Sequence, residues 1–117
     1  MTFASSAELT RRYVEKLSHL QAAVGKEEMA TLATRLQQFY RQDLWPNLTT
    51  VELPQQQAQW NSAMTEIHRH MRLLSVEVKF VQSAKNAGTR QQRLAQIEQR
   101  LVQIQGFAEV LLTLLSA

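Results

Sequence analysis

The sequence contains no cysteine. Disulfides, thiol chemistry and thiolate metal sites are therefore excluded, and the pattern fits a reducing compartment, with a cytoplasmic location expected. Glycine (3) and proline (2) are nearly as scarce. Few breakers mean few turns, which favours long helices over a many-stranded sheet. Three scattered glycines also leave no phosphate-cradling loop. No run approaches the roughly 18 apolar residues that a membrane span needs. The opening MTFASSAELTRR lacks a long apolar core behind a basic start, so no signal peptide is expected there. The most apolar run, FAEVLLTLLSA, is short and holds Glu109, which reads as a buried helix end rather than a membrane-inserted tail. The net charge of +3 is mild, and Lys and Arg are spread along the chain. That is not the concentrated basic face of a dedicated nucleic-acid binder, and no nucleic-acid partner is expected.

What is present is helical patterning. A chain of 117 residues with 44% apolar content suits one domain with a core of its own. Ser5 and Glu8 form a capping-box pattern, and Leu9, Tyr13, Leu17, Leu20 and Val24 then recur along one helix face. Gly25 is the expected stop. In the next segment Glu27 and Glu28 suit a first turn, and Met29, Leu32, Leu36 and Phe39 or Tyr40 form a stripe. Pro46 disfavours helical geometry at Trp45, so that helix is expected to end near Leu44. The stretch PNLTTVELP reads as a loop anchored by Val51 and Leu53, with Pro54 in the first turn of the next helix.

The segment RLLSVEVKFVQSAKN is locally ambiguous. Val76, Val78 and Phe80 alternate with Glu77 and Lys79 as in a half-buried strand. A longer window decides for helix: Trp60, Met64, Ile67, Met71, Leu74, Val78 and Val81 are spaced alternately by four and three. Leu94, Ile97, Leu101, Ile104, Ala108, Leu111 and Leu115 continue the same rhythm after a break at Gly88, with Thr89 and Gln92 as a second capping pattern. The expectation is one all-α domain over 1–117, an antiparallel up-down four-helix bundle with a long C-terminal hairpin. Its helices cover about 5–24, 27–44, 55–87 and 89–115, with a loop over 46–54. Gly106 inside the last helix costs about 1 kcal/mol relative to Ala, and either a close helix approach or a slight kink would account for it.

Once Leu74, Val78 and Val81 are given to the core, Leu73, Val76 and Phe80 are left over on another side of the helix. Either this third long segment is central and covered on both sides, or the surplus line is a docking surface for a second copy or another protein.

Catalytic chemistry is not legible. His68 and His70 lie two apart, about 200° around a helix, and so cannot share one metal ion; they read as solvated or interface side chains. Glu66 and His70 make an ordinary helix-face pair. Serines and threonines sit beside no base. No enzyme activity, cofactor or metal is expected. The many glutamines, as in QQRLAQIEQRLVQIQ, are interleaved with the heptad and form polar helix faces. Arg90, Arg93, Arg100, Lys79 and Lys85 make the hairpin end somewhat basic; they read first as solvated charges, next as a site for an acidic partner peptide and last as one for nucleic acid.

Two stretches, FYRQDLWPNL and MTEIHRHMRLLSVEVKFVQSAKNAGTRQQRLAQI, resemble the cyanobacterial heterocyst frequency control protein PatD family. The likeness runs over roughly Leu36 to Leu112. Its most specific parts are Glu66, the RLL of Arg72 to Leu74, the VEVKFVQSA that comes after it, and Thr89 with Arg93; the first 30 residues carry none of it. The resemblance implies a small helical cytoplasmic regulator acting through the tubulin-like division protein FtsZ, tuning filament assembly and so cell division or heterocyst frequency. Leu73, Val76 and Phe80, with Arg72 and Lys79 beside them, are the residues expected at a partner interface or in a homodimer.

Overall fold

The structure, a computed structural model, describes residues 5–116. It is all-helical, with no strand among those residues. Helix α1 (Ser6–Ala22) starts where Ser5 Oγ accepts the Glu8 backbone N–H at 3.0 Å, satisfying one of the free donors at the helix start. Leu9, Tyr13, Leu17 and Leu20 are buried as one stripe. The chain then reverses through Gly25, whose φ of +82° is a left-handed geometry that costs glycine little.

Helix α2 (Met29–Phe39) begins later than its acidic residues suggest: Glu27 and Glu28 lie in the preceding turn. Its far end departs from expectation. The backbone does not break at Trp45 but widens into a π turn (Tyr40–Leu44) and runs on as the short helix α3 (Trp45–Leu48). Trp45 keeps helical geometry, φ −56° and ψ −48°, and its N–H reaches back to the Tyr40 carbonyl. Pro46 has no N–H to donate, and its ring needs space near the preceding turn; the wider turn absorbs both demands. Burial of Tyr40, Leu44 and Leu48 outweighs the local preference of a residue before proline. The loop therefore moves on, to 49–56, and Pro54 lies in it rather than in the first turn of the next helix, which starts only at Gln57; Val51 and Leu53 pack against the core as expected. Trp60 Nε1 donates to the Leu48 carbonyl at 3.2 Å and closes the end of α3.

Helix α4 (Gln57–Ser83) buries all seven expected stripe residues, Trp60 through Val81. The ambiguous SVEVKFV is helix throughout. Helix α5 (Ala87–Leu115) is capped by Asn86 rather than Thr89: Asn86 Oδ1 accepts the N–H groups of Gly88 and Thr89 at 2.8 and 3.1 Å. Asparagine is the stronger cap, so the helix starts earlier and takes Gly88 and Thr89 into its first turn. Ile97, Leu101, Ile104, Ala108 and Leu111 are buried. Leu114, not Leu115, takes the last inward position, because a straight helix drifts out of a strict heptad.

The helices close a ring of contacts: α4 on α5, α5 on α1, α1 on α2 and α2 on α4, within 49 × 31 × 18 Å. Cross-helix partners on α4 and α5 step in opposite directions, Phe80 with Arg93, Glu77 with Arg100 and His70 with Phe107.

The glycines give a paired test. A Cβ at Gly106 meets nothing, so no intramolecular helix approach requires that glycine. Gly106→Ala should raise unfolding free energy by about 0.5–1 kcal/mol. Gly25→Ala should lower it by about 1–2 kcal/mol through backbone strain alone, since its Cβ would sit in ordinary contact with Leu94, at 3.6 Å. Urea unfolding of the three proteins measures both.

Candidate docking surface on α4

The surplus stripe on α4 is not covered. Val76 is 44% exposed and Phe80 53%, while Leu73 is half-buried. The third long segment is thus enclosed on its core side only. Arg72 and Lys79 are exposed and lie seven residues apart, along one flank of the stripe. From the other flank α5 contributes Arg93. Its Nη1 donates to the Phe80 carbonyl at 2.7 Å and its guanidinium stands 5.2 Å from the Phe80 ring centre. This cation–π contact holds the exposed ring in place for about 0.5–1 kcal/mol. Beyond Lys79 a shallow groove runs between α2 and α4 over Ala30, Ala33, Leu74 and Val78.

Beside the stripe, the seam between α4 and α5 holds a charged network. Arg100 grips Glu77 with two bonds, Nε to Oε1 at 2.9 Å and Nη2 to Oε2 at 3.0 Å. Its third nitrogen, Nη1, donates to His70 Nδ1 at 2.7 Å. Glu66 lies 3.6 Å from His70 Nε2 and pairs with Arg69 at 3.0 Å. A guanidinium can only donate, so at 2.7 Å Nδ1 accepts and the proton of a neutral His70 ring is on Nε2, which faces Glu66 with the Arg69 Nη2 at 3.4 Å beside it. The His70 ring stacks on Phe107, with centroids 5.7 Å apart.

These placements correct three expectations. His70 is buried, not solvated. His68 faces the other way, its Nδ1 2.9 Å from the Tyr40 hydroxyl and its ring 4.4 Å from that of Trp45. The two-residue step indeed separates the rings, but each turns to a neighbouring element rather than to water. Arg100 is likewise a clamp between helices, not a solvated charge. A partner 23 positions away leaves no local signal in a sequence, so this pairing was not legible. No group of three His, Asp or Glu able to hold a metal ion occurs among the described residues. No helix there is long and apolar enough to cross a membrane.

Burial lowers the His70 pKa from its ordinary value of 6.5, and the charges of Arg100 and Arg69 lower it further; Glu66 and Glu77 oppose them. The unfolded chain therefore binds the proton more readily. Stability should be fully present above the ordinary imidazole pKa of 6.5 and fall as the pH drops below it, where the network must increasingly accept an imidazolium. Urea unfolding of wild type and His70→Gln across this range checks it, with a smaller pH slope expected in the variant. Comparison with protein-family models, with curated proteins and with solved structures gives no match for the chain.

Proposed function

We infer that the chain is a non-enzymatic regulatory protein of the kind its likeness to PatD implies: it binds FtsZ and modulates filament assembly, and so tunes cell division or heterocyst frequency in the cytoplasm. On this reading the ring of helices is an antiparallel up-down bundle, and the long C-terminal hairpin of α4 and α5 presents the docking stripe. The observation that carries the binding reading is the exposure of Val76 and Phe80 between cationic flanks, on a helix whose core stripe is already fully used. The sequence resemblance alone supplies the name of the partner. No cofactor enters this function. Another protein partner, with the bundle as an adaptor, is the alternative if FtsZ is not bound.

Co-sedimentation with cyanobacterial FtsZ and GTP tests the reading. Wild-type protein should change the amount of FtsZ pelleted, and Phe80→Glu, with helicity unchanged, should lose the effect. A Phe80→Glu protein that behaves as wild type would move the site off the stripe. No effect from wild type would remove FtsZ as the partner.

The outer face of α5 favours a homodimer as a second reading. Val102 and Val110 are 54% and 43% exposed, four residues to either side of the open Gly106. Light scattering should then give twice the 13.5 kDa chain mass, and Val102→Glu should return it to one.

A further inference from the structure

We propose that the α4 stripe seats an acidic, helix-forming segment of the partner, its apolar side chains on Leu73, Val76 and Phe80 and its carboxylates against Arg72, Lys79 and Arg93. This deepens, and rests on, the reading of the stripe as a docking surface. Spacing gives the shape of the occupant. Leu73, Val76 and Phe80 are separated by three and four residues and form a line about 10 Å long, two turns of helix. A helix laid along that line would anchor at the same intervals.

Charge gives its chemistry. The carboxylates beside the stripe are already engaged, Glu66 by Arg69 and Glu77 by Arg100. Arg72, Lys79 and Arg93 make no ion pair among the described residues. Arg72 and Lys79 repeat at the heptad interval along one flank, and Arg93 stands at the other beside Phe80. The apolar line is thus bordered on both sides by unneutralised positive charge. The complementary helix carries acidic residues on both borders of its apolar face, in the positions that choose partners in coiled coils. A second copy docked here by two-fold symmetry would bring the same cations against one another. Like charge therefore opposes self-association through this face.

The test is fluorescence anisotropy of the full chain with labelled synthetic peptides of about 18 residues, long enough to form several helical turns. One has leucine at intervals of three and four bordered by glutamate. A second replaces glutamate by lysine, and a third replaces leucine by alanine. Only the first should bind. Its affinity should weaken as salt rises and fall at least about tenfold in Arg72→Glu/Lys79→Glu, with greater loss in Phe80→Glu. All substituted side chains are exposed, and circular dichroism checks that both variants stay folded. Equal binding of the acidic and basic peptides overturns the proposal. So does failure of the acidic peptide; if Phe80→Glu still blocks FtsZ pelleting in that case, the stripe survives as a docking surface without an acidic occupant. Acidic-peptide binding without any FtsZ effect keeps the proposal and discards FtsZ. Stripe-dependent binding to phosphatidylglycerol vesicles that displaces the acidic peptide would overturn it in favour of a membrane surface.

Discussion

Everything else in the molecule is built around the seam between α4 and α5. Two stripes repeating by threes and fours bury Ile67, Met71, Leu74, Ile97, Leu101 and Ile104 almost completely. Apolar burial alone is non-directional. The Glu77–Arg100–His70 clamp is directional, since three bonds of 2.7–3.0 Å from one guanidinium fix register and rotation together. The cost is desolvation of charged groups, offset because nearly every donor in the network meets an acceptor. Holding α4 at one rotation is also what keeps Val76 and Phe80 pointing away from the core. The seam thus sets which way the stripe points, and the positions of α1 and α2 leave it open.

The corner at Tyr40–Leu48 solves a different problem. A helix meeting Trp–Pro ordinarily stops, and a stop here would withdraw Leu48 from the core and leave Trp60 without its carbonyl partner. The π turn lets the chain continue at the local expense of one widened turn. Tyr40, Trp45 and His68 fill the space it opens, with ring centroids 4.4–5.9 Å apart. The unsatisfied Tyr13 hydroxyl lies beside the same cluster, its ring 5.9 Å from that of Tyr40. Burial pushes both phenols well above their ordinary pKa, so both keep their protons near neutrality.

Much of the fold was legible in the sequence where it depends on repetition. The α4 and α5 stripes run for several heptads, so period outweighs the strand-like look of Val76 to Phe80. Features that depend on a single contact were not legible. Helical geometry at Trp45 comes from tertiary burial, and the choice of Asn86 over Thr89 as cap comes from a one-residue competition. The surplus line is visible in the sequence as left-over apolar residues, but whether it is covered is not. That depends on where α1 and α2 come to lie, and periodicity within one helix carries no information about its neighbours. Arg93 and Arg100 illustrate the same limit: alike in sequence, one caps an exposed ring and the other is consumed within the seam.

The two tryptophans sit at the π corner, far along α4 from Phe80. Trp60 is buried with its indole N–H bonded to Leu48, and Trp45 rests against an imidazole. Intrinsic emission is consequently an optical signal from one end of the rod. It reports the opening of that corner, while occupancy of the stripe passes unseen. A label for the stripe has to be introduced, and a chain without native thiols accepts one at a single chosen position.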